Sequence, residues 1–155
     1  MEYFLQRSIF RMVNKILLLI LLIYPTLSYS IDNPDTPNYI SNFTELSEKY
    51  ENEISNSKFN NVDILYAYNE YMLFLDDELN KSFLILKKKM TSENFLKLQQ
   101  SQRQWILYRD MEFKLIESNW TRNNFGSSYR LSQLSYKSSV IKNRVIQLYY
   151  YANNY

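Results

Sequence analysis

Apolar residues recur along the chain at steps of three and four, the spacing of one helix face. Phe43, Leu46, Tyr50 and Ile54 mark the first such run, and Ser55-Asn56-Ser57 ends it. Asn42 can cap its start, with Glu45 three residues on as the reciprocal partner. After Asn60-Asn61 comes a longer stripe: Ile64, Tyr68, Tyr71, Leu75, Leu79, Phe83, Leu86 and Met90. No Gly or Pro interrupts residues 61–91, so the spacing predicts one long helix. Thr91 or Ser92 then caps a third helix, with the face Phe95, Leu98, Gln102, Trp105, Arg109, Glu112, Ile116 and Trp120. Gln102, Arg109 and Glu112 are polar intrusions on that apolar stripe. A loop over 121–127 holds the only glycine, Gly126. Beyond it Leu131, Leu134, Ser138, Ile141, Val145, Leu148 and Ala152 fit a heptad pattern, and Tyr149-Tyr150-Tyr151 follows as a run expected to pack or to hang free. Nothing alternates with period two for the length of a strand. The pattern predicts an all-α fold: a small helical bundle built on a long antiparallel helical hairpin plus a C-terminal helix.

The first 30 residues read differently. Arg7, Arg11 and Lys15 precede the uninterrupted apolar run Ile16–Ile23, and Tyr24-Pro25 ends it. Ser28 and Ser30 then offer small residues at the −3 and −1 positions of a cut. This is the order of a secretory signal peptide over residues 1–30, with cleavage leaving Ile31 first. The apolar run is shorter than the ~20 residues a spanning helix needs, so contact with a membrane is expected only through an uncleaved leader. Residues 31–59 form an extended lead-in with Pro34 and Pro37, then a short helix; residues 60–152 form the main helical domain. Export places the protein in the periplasm or outside the cell. The richness in Asn, Ile, Lys, Tyr and Phe suggests an AT-rich bacterial genome.

Composition narrows the chemistry. The chain has 155 residues, no Cys, no His and one Gly. Without Cys or His there is no disulfide framework, no thiolate chemistry, no His-based triad and no zinc or haem site of the usual kinds. One glycine is too few for a phosphate-cradling loop. No cofactor or metal is expected. The sequence pI of about 8.6 reflects the leader. Beyond residue 30 the acidic and basic residues balance at 15 each, which argues against an electrostatic nucleic-acid binder. The balance hides a split. Residues 31–79 carry 11 acids and 2 bases, and residues 80–155 carry 13 bases and 4 acids. Either the acidic and basic helices lie side by side and neutralise each other, or one pole faces a partner of opposite sign.

Residues 98–112 read Leu-Gln-Gln-Ser-Gln-Arg-Gln-Trp-Ile-Leu-Tyr-Arg-Asp-Met-Glu, and Asp76-x-x-Leu79-Asn80-x-x-Phe83 stands upstream. Together they resemble the LprI-like lysozyme-inhibitor domain, a family of small exported bacterial helical domains. Gln102, Arg103, Trp105, Ile106, Tyr108, Arg109, Asp110 and Glu112 match its pattern in register. Gly126-Ser127 and Arg144 match more loosely, and the resemblance covers about residues 60–150. The family pattern has Cys after the Arg-Asp-x-Glu segment; Phe113 stands there instead. The core must hold without staples.

A turn at 91–92 folds the third helix back on the second, so positions whose numbers sum to about 182 lie level. Asn80 is then expected to face Gln102, and Asp76 to lie within a turn of Arg109. One reading is a buried polar layer that fixes register, with Trp105 packed beside it. The other makes Trp105, Tyr108 and Arg109 an exposed patch of the residue types that dominate interface hot spots. Catalysis is not expected. Asp110 and Glu112 point about 200° apart on a helix, and Asp76-Asp77-Glu78 are consecutive and do not converge. The resemblance implies a non-catalytic binding protein whose partner is a cationic lysozyme or another envelope protein. The alternative is a structural or interaction module of the envelope without lysozyme-inhibiting activity. Glu70, Asp77 and Glu78 lie off the apolar stripe and are the expected free carboxylates for such a partner. Phe125, on a turn, is the expected apolar contact, unless it packs under its own loop. Gly126 is expected at positive φ, where a Cβ would clash.

Overall fold

A computed structural model describes residues 37–57 and 61–155. The signal peptide expected over 1–30, and most of the lead-in after it, lie outside the described residues. Four long helices account for nearly all of what is described: α1 (Tyr39–Asn56), α2 (Asn61–Lys89), α3 (Ser92–Asn119) and α5 (Tyr129–Asn154). A single turn, α4 (Arg122–Phe125), and a 3-10 turn (Gly126–Ser128) link α3 to α5. No strand occurs among the described residues, and no helix there is long and apolar enough to cross a membrane.

Local rules set most helix ends. Thr91 caps α3, its hydroxyl accepting from the Asn94 N–H at 3.3 Å. The start of α1 differs from expectation. Asn38, not Asn42, is the cap, and its side chain accepts from the Ser41 N–H at 3.0 Å. The earlier start makes Tyr39 and Ile40 helical and lets both pack on the core. Tyr39 stacks on Tyr149 with ring centroids 5.8 Å apart. Asn42 becomes an interior position that donates to the Asn38 carbonyl.

Helix directions follow from the cross-links. α1 runs antiparallel to α5, since the Tyr39 N–H donates to Asn153 and Lys142 donates to Glu51. α2 runs parallel to α5: Tyr71 and Lys142 share Glu51, Tyr149 donates to Glu78, and Lys89 reaches the Ala152 carbonyl. α3 runs antiparallel to α5, with Arg144 on Gln102 and Lys137 on Glu117. The parallel pair α2–α5 forms the main seam, with α1 in contact with both and α3 laid on α5. The core is Phe43, Tyr71, Leu75, Leu79, Leu86, Leu98, Ile141, Val145, Leu148, Tyr149 and Ala152. These are largely the residues of the expected stripes. Among the departures, Leu46 is partly exposed, Ser47 is fully buried in its place with its hydroxyl 2.8 Å from that of Tyr71, and Tyr149 joins the core from beside the heptad stripe.

The hairpin requires a correction. α2 and α3 are antiparallel and meet near their turn, where the Phe83 and Phe95 rings lie 5.2 Å apart. Further from the turn their facing residues are polar, and α3 rests on α5 instead. Asp76, Asn80, Arg103 and Arg109 keep more favourable surroundings beside water than pressed together. An open groove results where a sealed layer was expected.

Gly126 adopts φ 60° and ψ −142°, the positive φ expected of it. The reason differs, because a Cβ there would meet nothing within 4 Å. The constraint is the backbone conformation itself, which side chains rarely adopt. Gly126→Ala should therefore lower stability by about 1–3 kcal/mol, seen as a lower urea midpoint with helix content unchanged. An unchanged midpoint would contradict this account.

Glu51 ties three helices. Burial disfavours its charge, but Lys142, Tyr71 and Ser47 outweigh that and hold its carboxyl below the usual range. Burial and the Glu51 carboxylate in turn push the Tyr71 hydroxyl up. A depressed carboxylate stabilises the fold above its unfolded pKa and loses that contribution as pH falls through the folded one. Glu51→Gln should accordingly destabilise at neutral pH, and the gap to wild type should close in acid. Thermal unfolding followed across pH measures that gap.

Candidate functional site

α3 presents three faces, set by about 100° of rotation per residue. One faces α2 across the groove, one lies on α5, and the third points outward. The groove holds about 480 Å³. Its α2 wall is Asp76, Leu79, Asn80 and Phe83, and its α3 wall includes Gln102, Arg103 and Arg109. Both halves of the sequence motif therefore line one feature.

The expected pairs face each other there, but they do not bond. Gln102 gives its carbonyl to Arg144, not to Asn80, which is exposed. Arg109 closes on its own neighbour Asp110, with Nε and Nη2 at 3.0 and 2.7 Å from one carboxylate oxygen. Asp76 is left across the groove. Burial raises its carboxyl above the usual range, the charge of Asp77 adds to this, and Arg109 opposes it. The account of a buried Asp76–Arg109 ion pair fails for this reason.

A different polar layer exists one face away. Arg144 on α5 is 6% exposed. Its Nε donates to Gln102 at 2.9 Å, its Nη1 to Gln147 at 2.5 Å and its Nη2 to Ser101 at 3.3 Å. Its guanidinium lies over the Trp105 ring at 5.7 Å, and Arg109 lies over the same ring at 5.6 Å. Trp105 is thus half-buried, with a guanidinium from each of two helices over its ring. Burial lowers the pKa of Arg144, yet a guanidinium keeps its proton at any physiological pH. Sequence reasoning had matched Arg144 only loosely. The available signal was an Arg inside the stripe Ile141, Val145, Leu148, opposite a helix with an amide on its own apolar face.

The remaining motif residues divide by exposure. Tyr108 and Asp110 are exposed, and Glu112 is half-buried. Among the expected free carboxylates, Asp77 is exposed and Glu70 half-buried. Glu78 is not free. It is 7% exposed, accepts from the buried Tyr149 hydroxyl, and takes Lys81 at 2.9 Å. Its position in the α2–α5 seam could not be read from α2 alone. Phe125 is 44% exposed and stacks on Trp120 at 5.8 Å, so it both packs on its own loop and presents an edge to solvent.

A family model described as Lysozyme inhibitor LprI matches residues 54–148. The chain belongs to this family. The match runs from the last turn of α1 to the final turns of α5, and so takes in the groove and the Arg144 layer. No curated relative and no solved structure matches the chain. The LprI match spans both halves of the sequence motif, residues 76–83 and 98–112. No cluster of metal-ligating side chains forms among the described residues.

The open groove and the Arg144 layer have separable consequences. Gln102→Ala removes an acceptor from a buried cation and should cost about 1.5–3 kcal/mol. Asn80→Ala removes an exposed amide and should stay within about 0.5 kcal/mol. Urea unfolding of the two variants tests this, and equal losses would restore the Asn80–Gln102 layer.

Proposed function

We propose that this LprI-family chain is a non-catalytic protein, exported by a bacterium to the periplasm or beyond, that binds a lysozyme and restrains it. Membership of the lysozyme-inhibitor family over residues 54–148 carries the reading. The charge arrangement supports it. Antiparallel topology brings the end of α1, the start of α2, the end of α3 and the start of α5 to one end of the bundle. Glu53, Asp63 and Glu70 line a cleft of about 450 Å³ there, with Tyr66 beside them. Phe125 sits on the α3–α5 connection at the same end, and Asp77 lies exposed further along α2. Host lysozymes are strongly cationic, so exposed carboxylates would steer the encounter and an aromatic edge would add a short-range contact. The Arg144 layer serves on this reading to hold α3 in register on α5.

The test is a bacterial-cell lysis assay. Several-fold excess of the mature protein should slow lysis by lysozyme at low salt. Reversing Glu53, Asp63, Glu70 and Asp77 to Lys should slow association more than it speeds dissociation, with the effect shrinking as salt is added. Phe125→Ala should act chiefly on dissociation. Unchanged lysis at low salt would remove the inhibitor reading and leave a module of the envelope.

A further inference from the structure

The outward face of α3 is apolar over two turns. Leu107, Met111 and Leu115 are 59%, 71% and 51% exposed. They follow at steps of four, and they point away from both the groove and α5. Tyr108 flanks them at 52% exposure. The outer face of a helix at the edge of a bundle is ordinarily polar, and a contiguous apolar patch there marks a contact surface.

The charges beside this stripe say what fits it. The flank toward the groove carries Arg103, Asp110, Lys114 and Glu117, whose signs alternate. Suppose two copies of α3 pack antiparallel about a two-fold axis at Met111. Positions whose numbers sum to about 222 then lie level, and each flank meets the same flank of the other copy. Leu107 meets Leu115 of the second copy. Asp110 comes beside Lys114 of the second copy, and Arg103 beside Glu117 of the second copy. The symmetry repeats each pair, giving four opposite-charge contacts around an apolar centre. A parallel pairing would instead turn this charged flank toward the opposite flank of the second copy, beside Tyr108, and would form none of these contacts. Within one chain Asp110 and Glu117 each engage a cation through a single oxygen, from Arg109 and Lys137. The second oxygen of each carboxylate remains for another cation.

We propose that the outward face of α3 is a two-fold self-association surface, occupied by α3 of a second copy running antiparallel. The surface uses neither the acidic end of the bundle nor Phe125, so its test is independent of lysozyme binding. Light scattering across a dilution series of the full chain as purified should give twice the single-chain mass at high concentration, falling toward one chain on dilution. Met111→Lys, placed at the centre, should raise the dimer dissociation constant by about tenfold or more. Asp110→Lys should also weaken the dimer, and adding Lys114→Asp should restore it, because the swap recreates the opposite-charge contact. Helical circular dichroism unchanged in every variant confirms that the fold is retained. Single-chain mass at all concentrations would overturn the proposal. So would a dimer indifferent to Met111→Lys, or a double variant no tighter than Asp110→Lys alone.

Discussion

The parallel α2–α5 seam is the constraint on which the rest of the molecule depends. Leu75, Leu79 and Leu86 on α2 and Ile141, Val145, Leu148 and Ala152 on α5 are buried together. A chain without cysteine has only such packing to fix how its helices lie. Polar bonds inside the seam set its register. Tyr149 donates to a nearly buried Glu78, and Lys89 reaches the end of α5. Sliding one helix by a turn would take the Tyr149 donor away from the nearly buried Glu78 carboxylate and leave it Lys81 alone, which is costly. The seam therefore specifies an alignment as well as a contact.

Once α5 occupies that position, the fate of α3 follows. α3 contributes two fully buried apolar residues, Leu98 and Ile116, and meets α5 largely through polar and aromatic groups. Arg144 reaches across to Gln102 and Ser101 and covers Trp105. This leaves the α2-facing side of α3 to the solvent as a groove, and it leaves the outward side uncovered. The groove and the outward apolar stripe are thus two consequences of one packing choice. A helix held by one neighbour has two faces to spare.

The charge split is resolved in the same way. Part of it is neutralised within the bundle, where Glu51 on α1 takes Lys142 on α5. Glu117 and Lys137, which tie α3 to α5, both belong to the basic half. Glu53, Asp63 and Glu70 line one cleft at one end of the bundle. Opposite helices are thus tied together through Glu51 and Lys142, and a cleft lined by carboxylates remains at one end.

Periodicity determined the number of helices, their buried stripes and most of their ends, because these depend on residues within a few positions of one another. The Thr91 cap and the positive φ of Gly126 are local in the same sense. The level rule likewise placed Asp76 opposite Arg109 and Asn80 opposite Gln102. What the sequence could not determine was which helix each face would meet. A stripe states that a face is buried, not what lies against it. Only the tertiary structure decided that α5 packs on both α2 and α3, and from this came the burial of Glu78 and Arg144, the open groove and the diversion of Gln102 to Arg144. The early start of α1 combines both, a local cap at Asn38 and a distant ring, Tyr149, on which Tyr39 stacks. Polar side chains are the hardest to place from sequence, because their burial depends on a partner that the fold brings from a distant position.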